Sequence, residues 1–139
     1  PVRSTRMLML INHDHNILLE RRPPAGIWGG LWGFPEPGDE LPLEHWVQER
    51  LGLTVKPLED WPVVRHTFSH FHLDITPVLA VVNDDDSRIM DDAGRLWYEL
   101  ESNDELGFAA PVEKLINRLF TWQNNRAADE QNRTVCKTG

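Results

Sequence analysis

A chain of 139 residues fits one domain of ordinary size, and a hydrophobic content of 40% is enough to bury a real core. The net charge is −8 and the pI about 5.1, which argues against a general affinity for nucleic acid, where a domain pI above roughly 9 is the usual signal. Cys136 is the only cysteine, no apolar run approaches the roughly 20 residues that span a bilayer, and no signal peptide is visible, so a monomeric protein of a reducing cytoplasm is expected. Because the first residue is proline rather than methionine, the chain is expected to be a fragment or a processed form.

The elements follow in chain order. Arg6 to Ile11 and Ile17 to Leu19 are short apolar runs separated by the polar Asn12-His13-Asp14-His15-Asn16, the pattern of a β-hairpin. Arg21-Arg22-Pro23-Pro24 cannot sit in a central strand, because each proline lacks an N–H. The segment AGIWGGLWGFPEPGD is glycine-rich and predicts a tight loop leading into a strand. Leu43, Trp46, Val47 and Leu51 share one helical face, with Gly52 placed as the C-terminal cap. Val63 to Phe68 and Phe71 to Val82 predict strands. In the second, Phe71, Leu73 and Ile75 alternate with His72, Asp74 and Thr76, so one face is wet. Asp84-Asp85-Asp86 marks an exposed loop, and Leu96 to Leu100 one more short strand. Pro111 opens a second helix with Val112, Leu115, Ile116, Leu119 and Phe120 as its apolar stripe.

The six tryptophans, at 28, 32, 46, 61, 97 and 122, read as core anchors. Residues 123–139 are polar and without periodicity, and are assigned as a disordered tail after a domain spanning 1–122. This order of elements implies an α/β (α+β) fold, a mixed β-sheet sandwiched by helices.

Charge and aromatic character are unevenly spread. The first 35 residues hold four arginines against Asp14 and Glu20, while 36–62 and 84–139 each carry a net −5. Between them lies Arg65-His66-Thr67-Phe68-Ser69-His70-Phe71-His72, with three of the six histidines. His13 and His15 have a metal-like spacing, but a polar turn accounts for them. Glu36, Asp39, Glu40 and Glu44 form an acidic cluster that a solvated surface explains.

The stretch GLWGFPEPGD…ERLGL resembles the Nudix signature GX5EX7REUXEEXGU, where U is aliphatic. Glu49-Arg50-Leu51-Gly52-Leu53 lies over EEXGU, and His45-Trp46-Val47 falls where REU belongs. Arg50 thus stands in place of a glutamate, and one carboxylate beside a fixed positive charge is a poor site for Mg²⁺, a hard cation that wants oxygen ligands. No catalytic residue and no metal site are assigned.

A narrower resemblance, carried by ERRPPAGIWGGLWGFPE, RHTFSHFHLDI and LWYEL…GFAAPVEKLI, runs from about Arg6 to Leu119 in matching order. It is to the C-terminal domain of the MutY family of adenine DNA glycosylases. The resemblance implies a Nudix-like domain without the hydrolytic box, whose partners are duplex DNA with 8-oxoguanine opposite adenine and an N-terminal catalytic domain carrying an iron–sulfur cluster. No cofactor is implied for this segment, since a single cysteine cannot hold such a cluster.

The resemblance also implies that Phe68-Ser69-His70 meets the lesion. The chemistry suits it: a ring can wedge against a base step, and a hydroxyl can both donate to O8 and accept from the N7–H of oxidised guanine. Arg65, His66, Arg21 and Arg22 are candidate phosphate contacts, with solvated strand or loop residues as the alternative. The rival functions are an active Nudix pyrophosphohydrolase on oxidised nucleotides and a decayed Nudix domain that binds proteins.

Overall fold

The structure, a computed structural model, describes residues 1–38, 40–83, 94–101 and 106–138, with side chains as far as Arg126. The Asp84–Asp86 loop lies outside the described residues. Among the described residues seven strands form one mixed sheet: β1 (Val2–Ile11), β2 (Ile17–Arg21), β3 (Trp32–Gly33), β4 (Val55–Asp60), β5 (Val64–Thr67), β6 (His72–Val82) and β7 (Arg95–Tyr98). Helix α1 spans Leu43–Leu51 and α2 spans Ala110–Thr138. The sheet is ordered β3-β2-β1-β6-β4, with β5 paired to β6 and β7 to β2.

The centre of the sheet is the parallel pair β1–β6, in register from Val2↔His72 to Ile11↔Val81. Successive side chains of a strand point to opposite faces, so a strand covered on both sides reads as an unbroken apolar run. That explains Met7 to Ile11, every residue of which is buried. Met7, Met9, Ile11, Leu19, Ile75 and Leu79 pack with Val112, Leu115, Ile116 and Leu119 of α2. Leu8, Leu10, Leu18, Val78, Ala80 and Val82 pack on the other face with Leu43, Val47 and Leu51 of α1.

Most predicted elements are present, with informative differences. The first hairpin forms, but β1 and β2 pair only at Ile11↔Ile17, and the Leu8 amide donates instead to the Pro35 carbonyl at 2.8 Å. Helix α1 ends as expected: Gly52 is left-handed at φ 67°, and its amide donates to the Gln48 carbonyl at 3.0 Å. Strand β4 had no signal in the sequence. It carries Pro57, is buried only at Val55, and shifts register between Pro57 and Glu59, the behaviour of an edge strand with a bulge.

The tryptophans pack against the two cores from their margins rather than filling them. An indole N–H demands a polar partner, as when Trp61 Nε1 donates to Glu59 at 3.0 Å. Phe120, expected in the stripe of α2, is 38% exposed, because it falls at the stripe's edge. The backbone of α2 also continues through the polar segment assigned as a disordered tail. That segment has good helix formers such as Ala127, Ala128, Glu130 and Gln131, and neither proline nor glycine before Gly139.

Leu115 sits at the centre of the α2 face, with no solvent exposure. Leu115→Ala is expected to destabilise the fold by about 2–5 kcal/mol, and Phe120→Ala by within roughly 0.5 kcal/mol. Urea denaturation of the two variants checks this; equal losses would mean that α2 does not bear on the sheet as described.

Candidate functional site

Strands β5 and β6 form a hairpin whose tip is Phe68-Ser69-His70-Phe71. The register Val64↔Ile75, Arg65↔Asp74, His66↔Leu73 and Thr67↔His72 leaves Ser69 and His70 as the turn, and the Phe68 amide donates to the Phe71 carbonyl at 2.8 Å. Ser69 and His70 are exposed, while Phe68 and Phe71 are half-buried. Alternation along β5 sends His66 and Phe68 to one face and Arg65 and Thr67 to the other.

On the first face the rings meet. Phe68 stacks on Phe71 with centroids 4.6 Å apart and planes 22° apart. His66 is edge-on to Phe68 at 4.7 Å, and Trp28 lies 5.3 Å from Phe68 and 5.5 Å from His66. An arginine lies at each end of this row: the Arg3 guanidinium carbon is 4.4 Å from the Phe71 centroid, and that of Arg22 is 5.9 Å from Trp28. Such contacts contribute about 0.5–1 kcal/mol each at exposed sites. The tip is therefore propped on a ring platform rather than hanging free.

Trp28 reaches the platform because the glycine-rich loop turns sharply. Trp28 has φ 57° and Gly30 φ 77°. For tryptophan the left-handed region costs on the order of 1–2 kcal/mol. Hydrogen bonds tie the loop across its base, with the Arg22 amide donating to the Leu31 carbonyl at 2.9 Å and the Gly30 amide to the Arg22 carbonyl at 3.1 Å. Gly29 is required by space: a Cβ there would lie 2.2 Å from the Pro24 carbonyl oxygen.

The candidate phosphate ligands are placed unevenly. Arg65 is held by a two-pronged ion pair, with Nε donating to Asp74 Oδ1 at 2.7 Å and Nη2 to Oδ2 at 3.0 Å. The hydrogen bond from Arg65 keeps the Asp74 carboxyl below its usual range, and Asp74 in turn raises the Arg65 guanidinium. Arg22 is bound through Nη1 to the Glu36 carboxylate and through Nε to the Ile27 carbonyl at 3.0 Å. Arg21 Nε donates to the Gly30 carbonyl at 3.2 Å. His66 is enclosed among rings. Thus Phe68, Ser69, His70 and His66 lie together at one end of the sheet, whereas Arg65 and Arg22 are already neutralised by carboxylates. Arg3, Phe71 and Asp74 complete the site and had not been singled out. A turn placed at Ser69-His70 would have paired Arg65 with Asp74 by counting outward, but nothing local in the sequence joins Arg3 to Phe71.

The Nudix-box positions are arranged differently from a metal centre. On α1, His45 Nε2 contacts Glu49 Oε1 at 3.1 Å, and Arg50 lies over Trp46 at 5.6 Å. Glu36 accepts from Thr5 Oγ1 at 2.9 Å and from Arg22. Among the described residues no three His, Cys, Asp or Glu side chains converge. One imidazole-paired carboxylate beside a guanidinium is not a donor set that fits Mg²⁺.

Residues 6–118 match the NUDIX domain family. The chain belongs to that family. This Nudix domain is similar to the adenine DNA glycosylases of Buchnera aphidicola subsp. Acyrthosiphon pisum and subsp. Baizongia pistaciae. Each is 26% identical over 111 residues, which cover 80% of this chain and 31% of that protein. The chain therefore spans about a third of the length of these relatives, and the resemblance seen in the sequence motifs extends over four-fifths of it.

Among solved structures, the MutT protein of Methanosarcina mazei superposes with a TM-score of 0.65 at 18% identity, covering 88% of this chain and 96% of the other. The C-terminal domain of mouse MUTYH, solved in complex with human PCNA, superposes with a TM-score of 0.61 at 18% identity, covering 88% and 89%. Both likenesses show the fold. No helix among the described residues is long and apolar enough to cross a membrane.

Two outcomes follow from this geometry. Gly29→Ala should destabilise the domain by at least about 2 kcal/mol, whereas Gly38→Ala, where a Cβ meets nothing within 4 Å, should be nearly neutral in a urea titration. With Mg²⁺ or Mn²⁺, pyrophosphate release from 8-oxo-dGTP or dGTP should stay far below the roughly 1 s⁻¹ at the low end of ordinary enzymes. Turnover at that rate would show that the substitutions on α1 do not disable the box.

Proposed function

We propose that this Nudix domain is the lesion-recognition part of an A/G-specific adenine DNA glycosylase, acting in base excision repair of adenine opposite 8-oxoguanine. The domain reads the 8-oxoguanine strand and breaks no bond itself. Cleavage of the N-glycosidic bond belongs to the rest of the longer protein, together with the expected iron–sulfur cluster. Such a protein works in the bacterial cytoplasm, at the nucleoid.

The observation that carries this reading is the propped tip: Ser69 and His70 exposed at the apex of a hairpin whose rings and flanking arginines hold it in place. A recognition element must be preorganised, because ordering it on binding would consume affinity. The Ser69 hydroxyl has the dual donor and acceptor character that separates 8-oxoguanine, with N7–H and O8, from guanine, which offers only an acceptor at N7. Phe68 lies stacked beneath the tip, so it supports the turn and offers an apolar edge to a base step. The similarity to adenine DNA glycosylases supports the same reading.

The test is single-turnover adenine excision by the full-length protein on mispairs with 8-oxoguanine and with guanine. Ser69→Ala should reduce the preference for the lesion by several-fold, corresponding to one hydrogen bond of about 0.5–1.5 kcal/mol. Replacing Phe68, Ser69 and His70 together by alanine should reduce it further and leave the rate at saturating enzyme nearly unchanged. A triple variant with undiminished preference would sink the assignment of the tip.

A further inference from the structure

We propose that Arg3, at the start of β1, is the phosphate-binding cation of the tip, gripping a phosphodiester of the DNA strand that the tip reads. This rests on the reading of the tip as a DNA-contacting element. The motifs carrying the resemblance offer Arg65 and, at the end of β2 and just after it, Arg21 and Arg22. In the fold these three are engaged: Arg65 by both oxygens of Asp74, Arg22 by Glu36 and the Ile27 carbonyl, and Arg21 through Nε by the Gly30 carbonyl. For Arg65 or Arg22, taking a phosphate means giving up a carboxylate, so the exchange gains little charge neutralisation.

Arg3 is placed otherwise. Its side chain is exposed, and among the described residues no carboxylate or carbonyl accepts from its guanidinium. It lies 4.4 Å over the Phe71 ring, which itself stacks on Phe68. The register Arg3↔Leu73 holds it beside the turn although 68 positions separate Arg3 from Phe71 in the chain. A ring under the guanidinium restrains it and leaves in-plane N–H donors for the fork geometry that phosphate oxygens accept. In a domain of net charge −8, an uncompensated cation at this one end orients an approaching backbone toward Ser69 and His70.

The experiment is an anisotropy titration of the 139-residue chain with a labelled duplex, carrying either 8-oxoguanine or guanine opposite adenine, at salt from about 20 to about 100 mM. Each neutralised phosphate contributes about 0.9 to the slope of log K against log salt. Arg3→Met keeps a stem on Phe71 and removes the charge. It should lower the slope by about 0.9, so that affinity falls about four-fold less across this range than for the parent chain. Arg3→Lys should retain the slope with weaker binding, and Arg65→Ala should leave it unchanged. Thermal melting of each variant checks that the hairpin end is intact.

If Arg3→Met keeps the parent slope while lesion preference persists, the Arg3 assignment is wrong and the reading of the tip stands. A lowered slope without lesion preference in the parent chain supports the phosphate contact and removes the lesion reading. Absence of binding at the lowest salt overturns the Arg3 assignment, while the lesion reading stands or falls on the excision assay of the full-length protein.

Discussion

Everything at the candidate site depends on the parallel pairing of β1 with β6. Ten consecutive residue pairs lock the start of the chain to the strand that leaves the hairpin turn. Parallel strands need cover on both faces, and α1 and α2 provide it over the half containing Leu8, Leu10, Val78 and Ala80. The half nearer the turn emerges from that cover on the α1 side, where His72, Asp74 and Thr76 are half-exposed beside Arg65 and Thr67. The sheet is thus rigid in its covered half and chemically open in the other, so a loop at the open end is carried on a fixed base.

Much of this was legible in the sequence, for identifiable reasons. Helix α1 declares itself because Leu43, Val47 and Leu51 recur at helical spacing and Gly52 supplies the left-handed cap. The alternation in β6 declares itself because Leu73 and Ile75 are buried between half-exposed neighbours. Strand β4 did not, since Pro57 and a row of exposed residues are what an edge strand tolerates and a pattern search rejects. In the tail the backbone of α2 continues to Thr138, because polarity removes the evidence for packing without removing helix propensity.

The site divides in the same way. The turn at Ser69-His70 could be located from motif and pattern, because the contacts that make it are local in sequence. The state of Arg65 follows from that turn by counting outward to Asp74, but the states of Arg22 and Arg3 could not be located so, because their contacts are not set by a local register. Arg65 and Arg22 look like free cations in a linear reading and become halves of ion pairs once the hairpin sets Asp74 beside Arg65 and the loop after β3 sets Glu36 beside Arg22. Trp28 reads as a core anchor in the sequence, yet it closes the ring platform from the core's margin, in a left-handed conformation within a loop tied by hydrogen bonds.

On the proposed reading, acidity and DNA recognition are compatible because affinity and discrimination come from different interactions. Phosphate neutralisation supplies sequence-independent affinity, and contacts at a base edge supply specificity. A strongly basic recognition domain would hold undamaged duplex as firmly as damaged duplex, since the backbone is the same in both. An acidic domain with its charges paired away, Arg65 to Asp74 and Arg22 to Glu36, resists that indiscriminate grip. What remains at the open end is the single guanidinium of Arg3 and a short turn offering a hydroxyl and an imidazole, propped by rings, so that the difference between 8-oxoguanine and guanine is a large share of a small interaction.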